Sequence, residues 1–182
     1  HGIGPALSVT QMHAMLRMAL RLGADLEAAF AQVNDQLAET LPADRFITAF
    51  IALLDPVTHR LRYISGGQGP ILHFHAAQCR CTRHKPTSFP LGAMKLPAPR
   101  PAATLDFAPG DALVLLSDGF YECTDPAGVA FGEERVEQLV AEHRGESMSK
   151  LGAVLLDAVR TFTAGAAQED DMTLVLVCRE GA

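Results

Sequence analysis

The chain has 182 residues, and at roughly 150 residues per domain that is a single domain spanning 1–182. Apolar residues make up 48% and charged residues 20%, with a net charge of −6, no Trp and two Tyr, which excludes a disordered polyelectrolyte and argues against nucleic-acid binding. No apolar run reaches the ~18 residues of a membrane span, no secretory leader is visible, and four cysteines are too few for a disulfide framework, so a cytoplasmic protein with no membrane partner is expected.

Residues 3–22 are apolar almost all round, with Pro5 in the first turn and Gly23 at the end, and predict a buried helix. Asp25 is a candidate N-cap for a second helix whose Leu26, Phe30, Val33 and Leu37 recur at helical spacing; Pro42 ends it. Phe46 to Leu54, the turn from Asp55 to His59, and the alternating run from Arg60 to Ile64 predict a hairpin with one wet face. The Gly66–Pro70 stretch breaks this pattern, and Ile71 to Phe74 is a short strand. Residues 76–101 predict a long loop with brief strands. Thr104 to Phe107, the turn Pro109-Gly110-Asp111, and Ala112 to Leu116 predict a second hairpin. Helices follow over Phe131–His143 and Ser149–Phe162, and Met172 to Val177 predicts a buried final strand. Strands joined by short turns and segregated from helices give an α+β class with antiparallel sheets.

Charge is unevenly spread. Residues 56–105 carry +7 and no acid, while residues 106–182 carry −10. The basic segment is read either as solvated strand faces or as a rim suited to docking a phosphorylated partner.

Two acidic clusters sit at strand ends. The apolar run Leu113–Leu116 delivers Ser117-Asp118-Gly119, and Asp170-Asp171 immediately precedes the run from Met172. Asp is common in turns, so each cluster alone is also an ordinary turn. Two carboxylates at the mouths of buried strands otherwise call for a cation, and hard oxygen donors suit Mg²⁺ or Mn²⁺.

Six blocks occur in order: His1 to Leu7, Phe46 to Asp55, Gly66 to Pro70, Leu91-Gly92, Ser117-Asp118-Gly119 and Asp170-Asp171-Met172-Thr173. Together they resemble the bacterial PP2C-like phosphatases of the SpoIIE and RsbU type, over nearly the whole chain. Ser117 to Glu122 resembles the family's (T/S)-D-G-x-x-E block, and Asp170 to Thr173 matches its D-D-M-T block. The resemblance implies a layered sandwich of two antiparallel β-sheets flanked by helix pairs. It implies two Mg²⁺ or Mn²⁺ ions in the complete domain, activating a water for in-line attack on a phosphoserine or phosphothreonine. Carried over, Asp118 and Asp170 are metal ligands and catalytic residues, and Asp171 orients that shell. Gly119, His1 and Gly2 flank it. The implied substrate is a phosphorylated anti-anti-sigma-type (STAS) protein, and the implied neighbour is an upstream sensor or receiver domain. A homodimer stays open.

The sequence departs from the family pattern twice. The family opens with D-x-x-G-H-G, whereas this sequence starts at the corresponding His1-Gly2, so an N-terminally truncated domain lacking its first strands is expected, inactive or weak by itself. His1, as a terminus, lies near the metals or simply frays. Gln68 stands where the family commonly has His, and an amide cannot become a cation. These departures motivate an alternative, a catalytically silent partner-binding module on the same scaffold. Finally, His73, His75, Cys79, Cys81 and His84 are zinc-type ligands, but H-x-H with C-x-C is not the usual zinc spacing. This stretch is read foremost as a basic, partly exposed hairpin, and Cys123 and Cys178 as small apolar fillers.

Overall fold

The computed structural model describes residues 2–166, 168 and 170–181. In chain order the elements are α1 (Ile3–Arg21), α2 (Leu26–Thr40), β1 (Ala49–Asp55), β2 (Arg60–Gly66), β3 (Ile71–His75), β4 (Arg80–His84), β5 (Ala103–Asp106), β6 (Ala112–Leu116), α3 (Asp118–Tyr121), α4 (Glu133–Glu142), α5 (Met148–Phe162) and β7 (Leu174–Cys178). They fall into two compact units: His1–Gln68 with Pro86–Asp106, and Gly69–Lys85 with Phe107–Ala182.

The first unit holds α1, α2 and an antiparallel sheet in the order β1-β2-β5. The predicted stripe of α2 is its core face: Leu26, Phe30 and Leu37 are fully buried and Val33 nearly so, packed with Ile64 and Leu91. Asp25 caps this helix, its carboxylate accepting from the Ala28 N–H at 2.7 Å. Replacing Asp25 by Ala leaves that donor to water and is expected to lower stability by about 1 kcal/mol, read as a shift of the urea midpoint with unchanged slope. The β1–β2 turn is held by Asp55, which accepts from Val57 N, Thr58 N and the Thr58 hydroxyl. Along β2 the alternation is as expected at its start, with Arg60 and Arg62 exposed and Leu61 and Tyr63 buried.

Helix α1 corrects the expectation of all-round burial. Leu16 is its buried residue, Met12 and Met15 pack beside it, and Ile3, Leu7 and Met18 are 82%, 65% and 58% exposed. Apolar composition identified the helix, but a helix packed on one side, here against α2, buries one stripe whatever the rest of its surface is.

The second unit is an antiparallel sheet in the order β4-β3-β6-β7 with α4 and α5. Leu72, Phe74, Val114 and Leu116 on one face of the sheet pack with Val136 and Val140 of α4 and Leu151, Leu155 and Val159 of α5. Ser147 caps α5 through Lys150 N. Two expectations change here. Residues 104–107 and 112–116 are not a hairpin, because β5 pairs with β2 and β6 pairs with β3 and β7. The Pro109-Gly110-Asp111 turn is present, with Asp111 N bonded to Ala108 O, but it passes the chain from one sheet to the other. The final strand is only partly buried, with Val175 45% exposed, because β7 lies at a sheet edge.

The basic segment is largely neutralised within its own units. Arg60 pairs with Asp106, Arg62 with Glu27, Lys95 with Glu39, and Arg83 with Glu133, Glu134 and Glu137 of α4. Such exposed pairs contribute little stability, but they occupy cations that the charge pattern offers to a partner.

Candidate active site

The central strand β6 is buried along most of its length and ends at Ser117 in an extended conformation. The short helix α3 begins at the next residue, Asp118, which the sequence pattern does not anticipate as helical. Phe120, fully buried, anchors that turn in the core, so Asp118 is carried to the surface at the strand's mouth.

Ser117 ties this turn to the approach to β7. Its N–H donates to Thr173 O, its hydroxyl donates to Asp171 O at 3.0 Å, and the same oxygen accepts from Thr173 N at 2.8 Å. Gly119 completes the fit by absence of a side chain. A Cβ at this position would stand 2.6 Å from Asp171 O and 3.3 Å from the Asp170 carbonyl carbon, so only glycine lets the two segments lie this close. The four residues Asp118, Gly119, Asp170 and Asp171, distant in sequence, are thereby brought together. Asp171 contributes its backbone to this contact.

Each of the two expected ligands has one carboxylate oxygen oriented by a backbone donor. Asp118 Oδ1 accepts from Gly119 N at 3.0 Å and Asp170 Oδ1 from Asp171 N at 2.7 Å. Both residues are exposed. Tyr121, whose hydroxyl donates to Gly69 O, has its phenol pushed up by burial and further by the charges of Glu122, Asp118 and Glu133. A cleft of about 760 Å³ borders Asp170 and is lined by Gly119, Glu122, Asp125, Arg160 and Thr163 among others. Hard, exposed, oriented oxygen donors in a cluster of negative charge fit Mg²⁺ or Mn²⁺. Among the described residues, Asp118 and Asp170 are not joined by a third side chain with ligand atoms in mutual reach.

Gly2 is the N-cap of α1, in the first unit, and its carbonyl accepts from Ala6 N. His1 lies outside the described residues. Gln68 closes a turn in which its carbonyl accepts from the Ser65 hydroxyl. The residue missed in the sequence is Ser117: the S-D-G and D-D-M-T blocks were legible, but not that one hydroxyl joins them. Replacing Ser117 by Ala removes both hydroxyl bonds and leaves Thr173 N without its acceptor; a loss of about 1–2 kcal/mol is expected in urea unfolding, with weaker Mn²⁺ binding measured by titration.

Comparison with known proteins identifies the family and the fold. The family model described as stage II sporulation protein E (SpoIIE) matches residues 1–180. Among solved structures, the RsbU and RsbW domains of a Mycobacterium tuberculosis protein superpose with a TM-score of 0.80 at 23% identity, covering 100% of this chain and 49% of that one. The SiaA-PP2C domain of Pseudomonas aeruginosa gives 0.81 at 17% identity, over 98% and 71% of the two chains. The PP2C phosphatase domain of SpoIIE from Bacillus subtilis, solved with a fragment of its regulatory domain, gives 0.76 at 18%, over 97% and 50%. The chain thus spans about half the length of two of these three. No curated protein sequence matches it. The expected pair of antiparallel sheets with helices is the PP2C fold of these neighbours, and the chain belongs to the SpoIIE family of PP2C-type phosphatase domains.

Proposed function

We propose that this chain is the catalytic domain of a metal-dependent protein serine/threonine phosphatase, with Asp118 and Asp170 as ligands to Mn²⁺ or Mg²⁺ and Asp171 positioning them. The observation that carries this reading is the seating of the Ser117-Asp118-Gly119 turn on the Asp170-Asp171 backbone, with one carboxylate oxygen of Asp118 and one of Asp170 each oriented by a neighbouring backbone N–H. The ions, when bound, supply an activated water and offset the charge that develops on the phosphoryl oxygens. The chain's own residues fix where this happens. Asp118 and Asp170 hold the cations, Ser117 and Gly119 set the approach of the two segments, and Arg160 adds a positive charge to the lining of the adjoining cleft. By family analogy the substrate is a phosphorylated STAS-type protein, and a sensor or receiver module belongs to the same parent protein.

Gln68, an amide that cannot become a cation where the family commonly has His, favours one further reading, a silent partner-binding module. The test measures phosphate release from a phosphoserine STAS protein by this chain and by the full product of its gene. Release by the full product that requires Mn²⁺ and stops on chelation is the expected result. Metal-independent binding of the partner without release in either form would overturn it in favour of the silent module.

A further inference from the structure

A second constellation lies in the same unit, away from the aspartate pair. Alternation along β3 places His73 and His75 on one face of the sheet, and the register sets Thr82 opposite His73 and His84 diagonal to it. The His73 and His75 rings lie 4.2 Å apart between centroids. Asp111, at the start of β6, turns its carboxylate toward both. Its Oδ2 lies 3.6 Å from His73 Nε2 and 3.9 Å from His75 Nδ1.

Three features distinguish this cluster from a casual contact. First, His73 and Asp111 are each 3% exposed, and His73 Nε2 is buried without a hydrogen-bond partner, which is unfavourable for an imidazole nitrogen. Second, the carboxylate is rigidly held, Oδ1 by Ala76 N at 2.8 Å and Oδ2 by Ala108 N at 3.0 Å. Third, the far nitrogen of His75, Nε2, is engaged by the Thr82 hydroxyl at 3.0 Å. In the tautomer whose Nε2 donates to that hydroxyl, Nδ1 carries the lone pair and faces Asp111, the arrangement that orients histidine ligands of metals. Burial, followed by the charge of His75, pushes the His73 pKa down, against an opposing pull from Asp111.

We propose that His73 Nε2, His75 Nδ1 and Asp111 Oδ2 form a binding site for a zinc-class transition-metal ion. The three atoms already lie within 4.8 Å of one another. Zinc–ligand bonds of about 2.0–2.2 Å set tetrahedral neighbours near 3.3–3.5 Å apart, so small side-chain movements close the set. Imidazole nitrogens select zinc, nickel or copper over magnesium, which separates this site from the all-oxygen pair at Asp118 and Asp170. His84, whose Nε2 is also buried without a partner and whose ring centroid is 6.2 Å from that of His73, is the residue available to supply a fourth ligand. The cysteines are not ligands here. Cys81 faces the opposite side of β4 in the apolar core, its thiol pushed up to about 12 by burial and by Glu137, and Cys79 is exposed. The bound ion would tie β3 to the start of β6, the strand that ends at Asp118.

The test is equilibrium dialysis of the metal-stripped 182-residue chain against Zn²⁺ and Co²⁺ in excess Mg²⁺, with the visible Co²⁺ spectrum as the signature of nitrogen ligation. One ion retained per chain and a Co²⁺ ligand-field band are expected. His75→Ala, at a half-buried position that should leave the fold intact by circular dichroism, should weaken binding by about 100-fold, and His73→Gln should do so too. Asp118→Asn and the Cys79→Ser/Cys81→Ser pair should leave Zn²⁺ affinity unchanged. Retention of zinc by folded His75→Ala, loss of zinc in the cysteine pair, or absence of a stoichiometric ion in the wild type would each overturn the proposal.

Discussion

Replacing Asp118 by Asn is expected to lower Mn²⁺-dependent kcat/KM of the full gene product by on the order of 100-fold or more while leaving the urea midpoint nearly unchanged. The substitution isolates charge from shape. Asn keeps an oxygen to accept from Gly119 N, as Asp118 Oδ1 does, and keeps the same side-chain length, so the turn that leads into α3 has no reason to move. What disappears is the anionic donor. Even residues that only orient a metal's ligands are worth about 10–100-fold in affinity or activity, and a direct ligand is expected to exceed them. The side chain is exposed and lies with Glu122 and Glu133 among the negative charges around Tyr121, so removing its charge relieves repulsion instead of stranding a partner. Steady-state kinetics with a phosphoserine protein, alongside urea unfolding of the same samples, reads both effects. Full activity in folded Asp118→Asn would show that the metal is held elsewhere.

Gly119→Ala is expected to damage both stability and activity, for a reason unrelated to charge. The added methyl would stand 2.6 Å from a backbone carbonyl, that of Asp171, and backbone cannot rotate out of the way. Neither side yields easily. Phe120, fully buried, pins α3, and the Ser117–Thr173 bonds pin the approach to β7. The overpacking should cost about 1–3 kcal/mol. Relief by shifting the Asp170 segment about 1 Å would in turn lower turnover by roughly 100-fold, because catalysis is that sensitive to placement. Gly145→Ala, where an added Cβ meets nothing within 4 Å, is the control and should change neither quantity. Urea unfolding and Mn²⁺-dependent kinetics on the two variants give the comparison; wild-type values for both in Gly119→Ala would show that the close approach is not functional.

The legible parts of this protein are those that local chemistry determines. Asp25 announced the start of α2, the spacing of Leu26, Phe30, Val33 and Leu37 announced its buried face, and both held. Asp118-Gly119 and Asp170-Asp171 were visible as carboxylates at strand ends because a strand end, a glycine and an acid are neighbours in sequence. Three features were not legible because they depend on what comes back from far along the chain. The Pro109-Gly110-Asp111 turn has hairpin chemistry, yet β5 finds its partner in β2 and β6 in β3 and β7. The apolar residues of α1 say that it is a helix but not how much of it is covered. His73 and His75 drew attention to nearby cysteines, whereas the strand pleat turns Cys81 to the other face and the sheet brings Asp111 instead. Gly119 belongs between these cases. Its place in the motif was plain, and its physical necessity emerged only when the Asp171 carbonyl was found above it.

The central claim is that the surface point shared by Asp118 and Asp170 binds a divalent cation. The most direct measurement is paramagnetic line broadening of backbone amide signals as Mn²⁺ is added to the isotope-labelled 182-residue chain, independent of any substrate or turnover. The amides of residues 117–122 and 170–173 should broaden at the lowest Mn²⁺ concentrations, and Asp118→Asn should move that broadening to much higher concentrations. Broadening that begins elsewhere, or that Asp118→Asn leaves unchanged, would contradict the account.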